Sequence, residues 1–120
     1  MPTQVQLLAR LDDLARREGL IAADTRKARI YRDPVGGTVA WLPHGRERLE
    51  LTLIQIRMAA EPRAQQLHQA LAEACGRTIA EIPAHDLGLD ADDVLRHWPA
   101  LDRDFFPAYL AAHREVQAAR

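Results

Sequence analysis

The amino-acid sequence predicts a single α+β domain that spans residues 1–120. Three patterns predict this class: an amphipathic helix at the N-terminus, short β-branched runs around a glycine-rich turn, and helical periodicity in the second half. We expect an N-terminal helix, a three-stranded antiparallel meander, and three C-terminal helices packed on one sheet face.

The first helix is predicted to begin near Thr3, whose hydroxyl can cap free backbone N–H groups, and to run to Glu18. Gly19 follows at the position where glycine commonly ends a helix. Apolar residues recur at helical spacing and define one stripe that we expect to be buried: Val5, Leu7, Leu8, Leu11 and Leu14.

The predicted meander begins with strands at residues 28–32 and 38–42, on either side of the turn sequence DPVGG. That turn requires a glycine with positive φ. A third strand is predicted at residues 48–58. Leucines alternate with polar residues as far as Leu53, and the apolar positions then shift by one, which predicts a β-bulge. A helix here is the alternative, but three β-branched residues favour a strand: Thr52, Ile54 and Ile56.

Three helices are predicted in the second half of the chain. The first covers residues 62–75, with a proline in its first turn and Gly76 after its end. The other two cover residues 90–98 and 102–119, and Pro99 separates them. A further proline inside the last helix is expected to kink it.

Residues 78–98 also allow a second interpretation, a helix-turn-helix. Thr78 and Glu81 form a capping box that can start a helix, Ala84 is small enough for close helix packing, and Gly88 can make the turn. The next stretch, VLRHWPALDRDFF, resembles the segment that follows the turn in regulators of the tetracycline-repressor type, which implies DNA binding. Pro83 departs from that pattern. A short strand at residues 78–82 is another interpretation.

The charge of this segment disfavours nucleic acid as the partner. Residues 81–104 contain seven acidic side chains and only two arginines, whereas affinity for DNA comes largely from neutralising its phosphates. Carboxylates are instead favourable at the N-terminus of a helix, where Asp90 would lie. We therefore expect a structural role for these acids.

Composition excludes several classes of function. The chain has no serine and no asparagine, hence no serine nucleophile and no N-glycosylation site, and its single cysteine, Cys75, excludes an internal disulfide. The charged N-terminus is unlike a signal peptide and no apolar run could span a membrane, so we expect a cytoplasmic protein. Fifteen arginines against one lysine indicate a bacterial source.

Partner-binding candidates come from the densest basic run, residues 26–32, and from nearby aromatic residues. Arginine and aromatic side chains together can stack nucleic-acid bases, but a solvated strand face with aromatic packing beneath explains the same pattern. The candidates are Arg29, Tyr31, Arg32 and Trp41 on the hairpin, with Arg96 and Trp98 on the helix at residues 90–98.

Histidine and cysteine positions predict no catalytic or metal site and no cofactor. Asp93 and His97 share a helix face without a third ligand, and Cys75, seven residues after His68, lies at a helix C-terminus where the dipole does not activate a thiol. We predict a small, non-enzymatic bacterial regulatory protein acting through protein–protein contacts. The unprotected sheet edge predicts a homodimer or a protein partner. The alternative is a helix-turn-helix transcriptional regulator that uses residues 78–98.

Overall fold

The computed structural model describes residues 3–35, 37–82 and 86–119. It has the α+β architecture that the sequence predicts. A 3₁₀ turn (Ile79–Glu81) precedes the last strand, and a π-helical segment (Leu101–Phe105) precedes the last helix. The helices and strands in chain order are α1 Thr3–Glu18, β1 Ile21–Asp24, β2 Ala28–Asp33, β3 Gly37–Pro43, β4 Arg48–Thr52, α2 Ile54–Ala59, α3 Glu61–Ala74, β5 Asp86–Asp90, α4 Ala91–Arg96, α5 Trp98–Ala100 and α6 Phe106–Ala118.

The sheet has five antiparallel strands in sequential order, so the prediction of three strands is wrong in number. The predicted meander corresponds to β2, β3 and β4, and β1 and β5 add one strand at each edge. Their sequences, IAAD and DLGLD, consist largely of residues with low β propensity, so local pattern does not indicate them. Each is held by pairing with a more strongly β-forming neighbour, β2 or β4.

The β-bulge lies in β3, not in residues 48–58 as predicted. Tyr31 pairs with Ala40, whereas the next residue, Arg32, pairs with Thr38, so Val39 is an extra residue on β3. Val39 and Ala40 are both buried. The strict alternation of a regular strand would not allow this, and the bulge does.

Residues 48–58 contain both of the predicted alternatives, a strand and a helix. The strand β4 ends at Thr52, and α2 begins at Ile54. The linking residue, Leu53, has φ −116° and ψ 0°, outside the strand conformation. The shift in apolar spacing therefore marks a change from strand to helix, which is why Ile56 is fully buried on α2.

The first helix and α3 agree closely with the predictions. Helix α1 has the predicted bounds and ends at Gly19, whose φ is +76°. Its stripe is buried at three of the five predicted positions, Leu8 is partly buried, and Val5 is 51% exposed. Helix α3 begins with a proline in its first turn and is followed by Gly76 at φ +65°. In the hairpin turn, Gly37 takes the expected positive φ of +76°, and Gly36 lies outside the described residues.

The last two helices do not divide at Pro99 as predicted. The break falls at His97, and the chain is then helical from Trp98 to Ala118. Pro99 lies in the first turn after this break, where a missing N–H costs nothing, and Pro107 is the second residue of α6, directly after the π-helical segment. The π-helical segment Leu101–Phe105 lies between the two prolines. Its wider turn, directly before Pro107, lets the helix continue past that proline.

Residues 78–98 do not form a helix-turn-helix. The capping box of Thr78 and Glu81 is present but starts only a 3₁₀ turn, so neither the expected helix nor the alternative short strand is found there. Gly88 lies within β5 rather than in a turn. Pro83 and Ala84 lie outside the described residues. Asp90 is the N-cap of α4 as expected, although its side chain makes no capping hydrogen bond.

The helices α1 and α6 pack on one side of the sheet and enclose a single hydrophobic core. One row of paired strand residues points into this core: Tyr31, Ala40 and Leu51. The neighbouring row points to the other side: Ile30, Trp41 and Glu50. We call the side of β1, β2 and β3 that faces away from the helices the open face, since no described helix packs against it.

The hydroxyl group of Tyr109, on α6, binds the sheet where its strands leave backbone groups unpaired. It donates to the carbonyl of the bulge residue Val39 (2.5 Å) and accepts from the backbone N–H of Thr52 (3.0 Å), the last residue of β4. Burial raises the pKa of Tyr109, so the hydroxyl remains a donor at neutral pH. His113 Nε2 donates to the carbonyl of Thr52 (3.0 Å). Two side chains of α6 thus replace missing ladder bonds.

We predict that Tyr109→Phe lowers the free energy of unfolding by about 2–6 kcal/mol, because two backbone groups lose their partner at roughly 1–3 kcal/mol each. Tyr31→Phe is the matched control. Its hydroxyl donates to Asp12 (2.7 Å), which keeps Arg29 as a partner, so we expect a loss of about 1 kcal/mol. Urea unfolding followed by circular dichroism measures both, and equal losses would contradict the assignment.

Candidate functional site

The open face carries a shallow apolar groove beside β1. Strand pairing places Ala23 opposite Ile30 and Ile30 opposite Trp41. Ile21 is 46% exposed, which is high for an isoleucine in a sheet. The groove measures about 160 Å³, and its lining residues are Ile21, Ala23, Thr25, Ile30, Arg32 and Thr38.

Two of the six predicted partner-binding residues lie on this face. Arg32 is exposed and lines the groove, and Trp41 is half-buried next to Ile30. Tyr31 and Trp41 lie on opposite faces, because Tyr31 pairs with Ala40 and points to the helices, with 1% of its surface exposed. Alternation along β2 also places the neighbouring candidates Tyr31 and Arg32 on opposite faces.

Arg29 also lies on the helix side and is already paired. Its Nη2 lies 3.2 Å from Asp12 on α1, and its Nη1 lies 3.0 Å from Asp24. The hydrogen bond to Asp12 raises the pKa of Arg29, and the guanidinium carbon lies 5.7 Å from the centre of the Tyr31 ring. Arg29 therefore links α1 to β2 rather than offering a charge to a partner.

Arg96 and Trp98 lie away from the hairpin candidates, on α4 and α5. The Arg96 side chain is 70% exposed. Trp98 is 8% exposed and packs in the core against Phe106, with ring centroids 5.5 Å apart. Trp98 is thus a core residue, and the sequence missed the groove residues that β1 contributes because β1 itself was not predicted.

Positive charge without an ionic partner is concentrated around the open face. Within the described residues, five basic side chains form no ion pair: Arg10, Arg26, Lys27, Arg32 and Arg46. All but Arg10 lie on strands or turns of the β1–β3 region. The β1–β2 and β3–β4 turns are joined by a hydrogen bond from the His44 N–H to the carbonyl of Lys27 (2.9 Å), so their basic residues form one rim.

The buried thiol and histidine do not form a nucleophilic pair. Burial raises the pKa of Cys75 to about 11, so the thiol is protonated at neutral pH. His68 Nε2 donates to the carbonyl of Ile82 (2.8 Å) and has a structural role. Asp93 is bound by Arg77 rather than held for a metal with His97. In the described part of the chain, no cluster of three or more metal-binding side chains occurs.

Comparison with known proteins returned no matching family model, curated protein or solved structure. Over residues 3–35, 37–82 and 86–119, no helix combines the length and apolar character needed to cross a membrane.

The buried side chain of His113 makes the stability of the fold depend on pH. It is 2% exposed, and burial lowers its pKa below the ordinary value of 6.5 although the Thr52 carbonyl and Asp33 act in the opposite direction. The unfolded chain therefore binds the proton more tightly, so stability is complete above about pH 6.5 and falls as the pH drops towards the lowered pKa. One site contributes a slope of up to about 1.4 kcal/mol per pH unit.

The variant His113→Gln should lose this slope between pH 7.5 and 5.5, because a glutamine amide can donate to Thr52 but does not titrate in this range. Thermal unfolding at half-unit pH intervals measures the difference between the two chains. Parallel curves for wild type and variant would show that another group controls the acid response.

Proposed function

We propose that this chain is a small, non-enzymatic regulatory protein of the bacterial cytoplasm that acts by binding another protein on its open face. One observation carries the proposal: the side of β1–β3 away from the helices presents an apolar groove with a basic rim. A groove of this kind beside a sheet edge is typical of protein-interaction sites.

The chemistry of the remaining side chains supports a binding role over an enzymatic one. The chain contains no serine, and its single thiol is buried with a raised pKa. Buried polar side chains such as Tyr109 and His113 are bonded to the backbone, which suits a structural role. No observation favours the DNA-binding alternative. Its helix-turn-helix would use residues 78–98, and part of that segment is the strand β5.

Affinity capture from the native host tests this function. We expect the wild-type chain to retain a protein that Ile21→Glu and Ile30→Glu each retain at least about tenfold less, because a glutamate would be desolvated in the groove. Met58→Glu is the matched control, since Met58 on α2 is 78% exposed and lies outside the groove. Circular dichroism confirms that each variant is folded.

Light scattering on the same variants shows whether the protein bound on the open face is a second copy of this chain. In that case the wild type is a dimer, and both glutamate variants are monomers at the same concentration. Capture that is equal for wild type, both groove variants and Met58→Glu, together with unchanged mass, would refute the open face as the docking surface.

A further inference from the structure

The edge of β1 leaves backbone hydrogen-bonding groups available. β1 is the first strand of the sheet and pairs only with β2. In the described part of the chain, no backbone hydrogen bond joins the far side of Ile21–Asp24 to another segment. An edge of this kind can accept an additional strand, and the main-chain bonds of that strand supply affinity whatever its sequence.

The groove beside this edge can receive side chains of an added strand. Ile21 and Ala23 on β1, with Ile30 behind them, form its apolar floor. In a strand, alternate side chains point to the same face. One apolar side chain of an added strand would therefore lie over the groove, between two others that point the same way.

The charges at the two ends of the groove determine what those flanking side chains are. Arg32 lies opposite Ile21 at one end, and the β1–β2 turn carries Arg26 and Lys27 at the other. In extended chain these ends are about 17 Å apart, so two acidic side chains four residues, or about 13 Å, apart fit between them. The one acidic residue of β1, Asp24, is bound by Arg29 and does not neutralise them.

We propose that the partner contributes an extended segment with the pattern acidic–any–apolar–any–acidic, which adds to β1 as a sixth strand. This inference rests on the proposed function and specifies its partner. The acidic side chains pair with Arg32 at one end and with Arg26 and Lys27 at the other. The apolar side chain fills the groove, and the backbone completes the ladder of β1.

A peptide fits this surface better than a single-stranded nucleic acid does. Trp41 is the aromatic residue on the open face, since Tyr31 points to the core. Binding of nucleic-acid bases generally uses several stacking side chains along a basic groove. A row of backbone donors and acceptors at the edge of β1 instead matches the alternating N–H and C=O groups of a polypeptide.

Selection of phage-displayed random octapeptides on the intact chain tests the proposal. We expect enriched peptides to carry two acidic residues four positions apart with an apolar residue midway. On Arg32→Glu, and on the double variant Arg26→Glu/Lys27→Glu, the preference for acid at one position should be lost. Arg10→Glu is the matched control, because Arg10 is an exposed, unpaired arginine on α1, and its selection should match the wild type.

The best peptide is then measured by fluorescence anisotropy and amide hydrogen exchange. We expect Arg32→Glu, and separately 0.5 M salt, to weaken its binding about tenfold. Exchange of the β1 backbone amides should slow in the complex. The proposal is overturned by the absence of a consensus, by apolar residues at helical spacing, by unchanged β1 amides, or by tighter binding of an oligothymidylate probe to the same face.

These outcomes separate this inference from the proposed function. If Ile21→Glu abolishes capture of the host protein but the selected peptides lack the acidic pattern, the docking surface stands and the sixth-strand inference fails. If capture does not depend on the open face, the proposed function fails, and the peptide result then describes only an intrinsic preference of the β1 edge.

Discussion

The hydroxyl of Tyr109 joins the last helix to two strands at points where regular pairing stops. The bulge at Val39 allows two consecutive β3 residues to enter the core, but it leaves a carbonyl without a ladder partner. The end of β4 leaves the N–H of Thr52, and Tyr109 binds both groups. Because an unsatisfied buried backbone group is costly, these bonds fix α6 against the inner face, and the side of β1–β3 opposite to it is left open.

The two faces of the sheet differ in packing, and ion pairs between elements also make the distribution of unpaired charge uneven. Several acidic side chains of the second half are bound by arginines of other elements: Arg17 with Asp102, Arg63 with Glu115, and Arg77 with Asp93. Exposed pairs of this kind add little stability. They neutralise these acidic side chains, whereas Arg26, Lys27 and Arg32 form no ion pair within the described residues. The formal net charge of −1 conceals this distribution.

The sequence was informative where one element has a strong pattern of its own. Helix α1, the β2–β3 hairpin and α3 were predictable from periodicity, turn residues and helix-ending glycines. β1 and β5 were not, because their weak sequences are ordered by pairing with distant segments. Of the predicted partner-binding residues, Arg32 and Trp41 lie on the open face, whereas Tyr31 and Trp98 lie in the core. Which face Tyr31 occupies depends on strand register, and the burial of Trp98 depends on the contact with Phe106.

Gly88, which the helix-turn-helix interpretation places in a turn, instead lies in a strand and leaves space for a side chain of the neighbouring strand. In β5 it pairs with Glu50 on the side of the sheet where Trp41 lies. The guanidinium of Arg48 occupies the space above Gly88 where a side chain would extend, and its Nε lies 3.2 Å from Glu50. This neutralised pair covers the β4–β5 half of the sheet with polar atoms. Apolar contact is thereby confined to β1–β3, where the groove, the unpaired edge and the basic rim occur together.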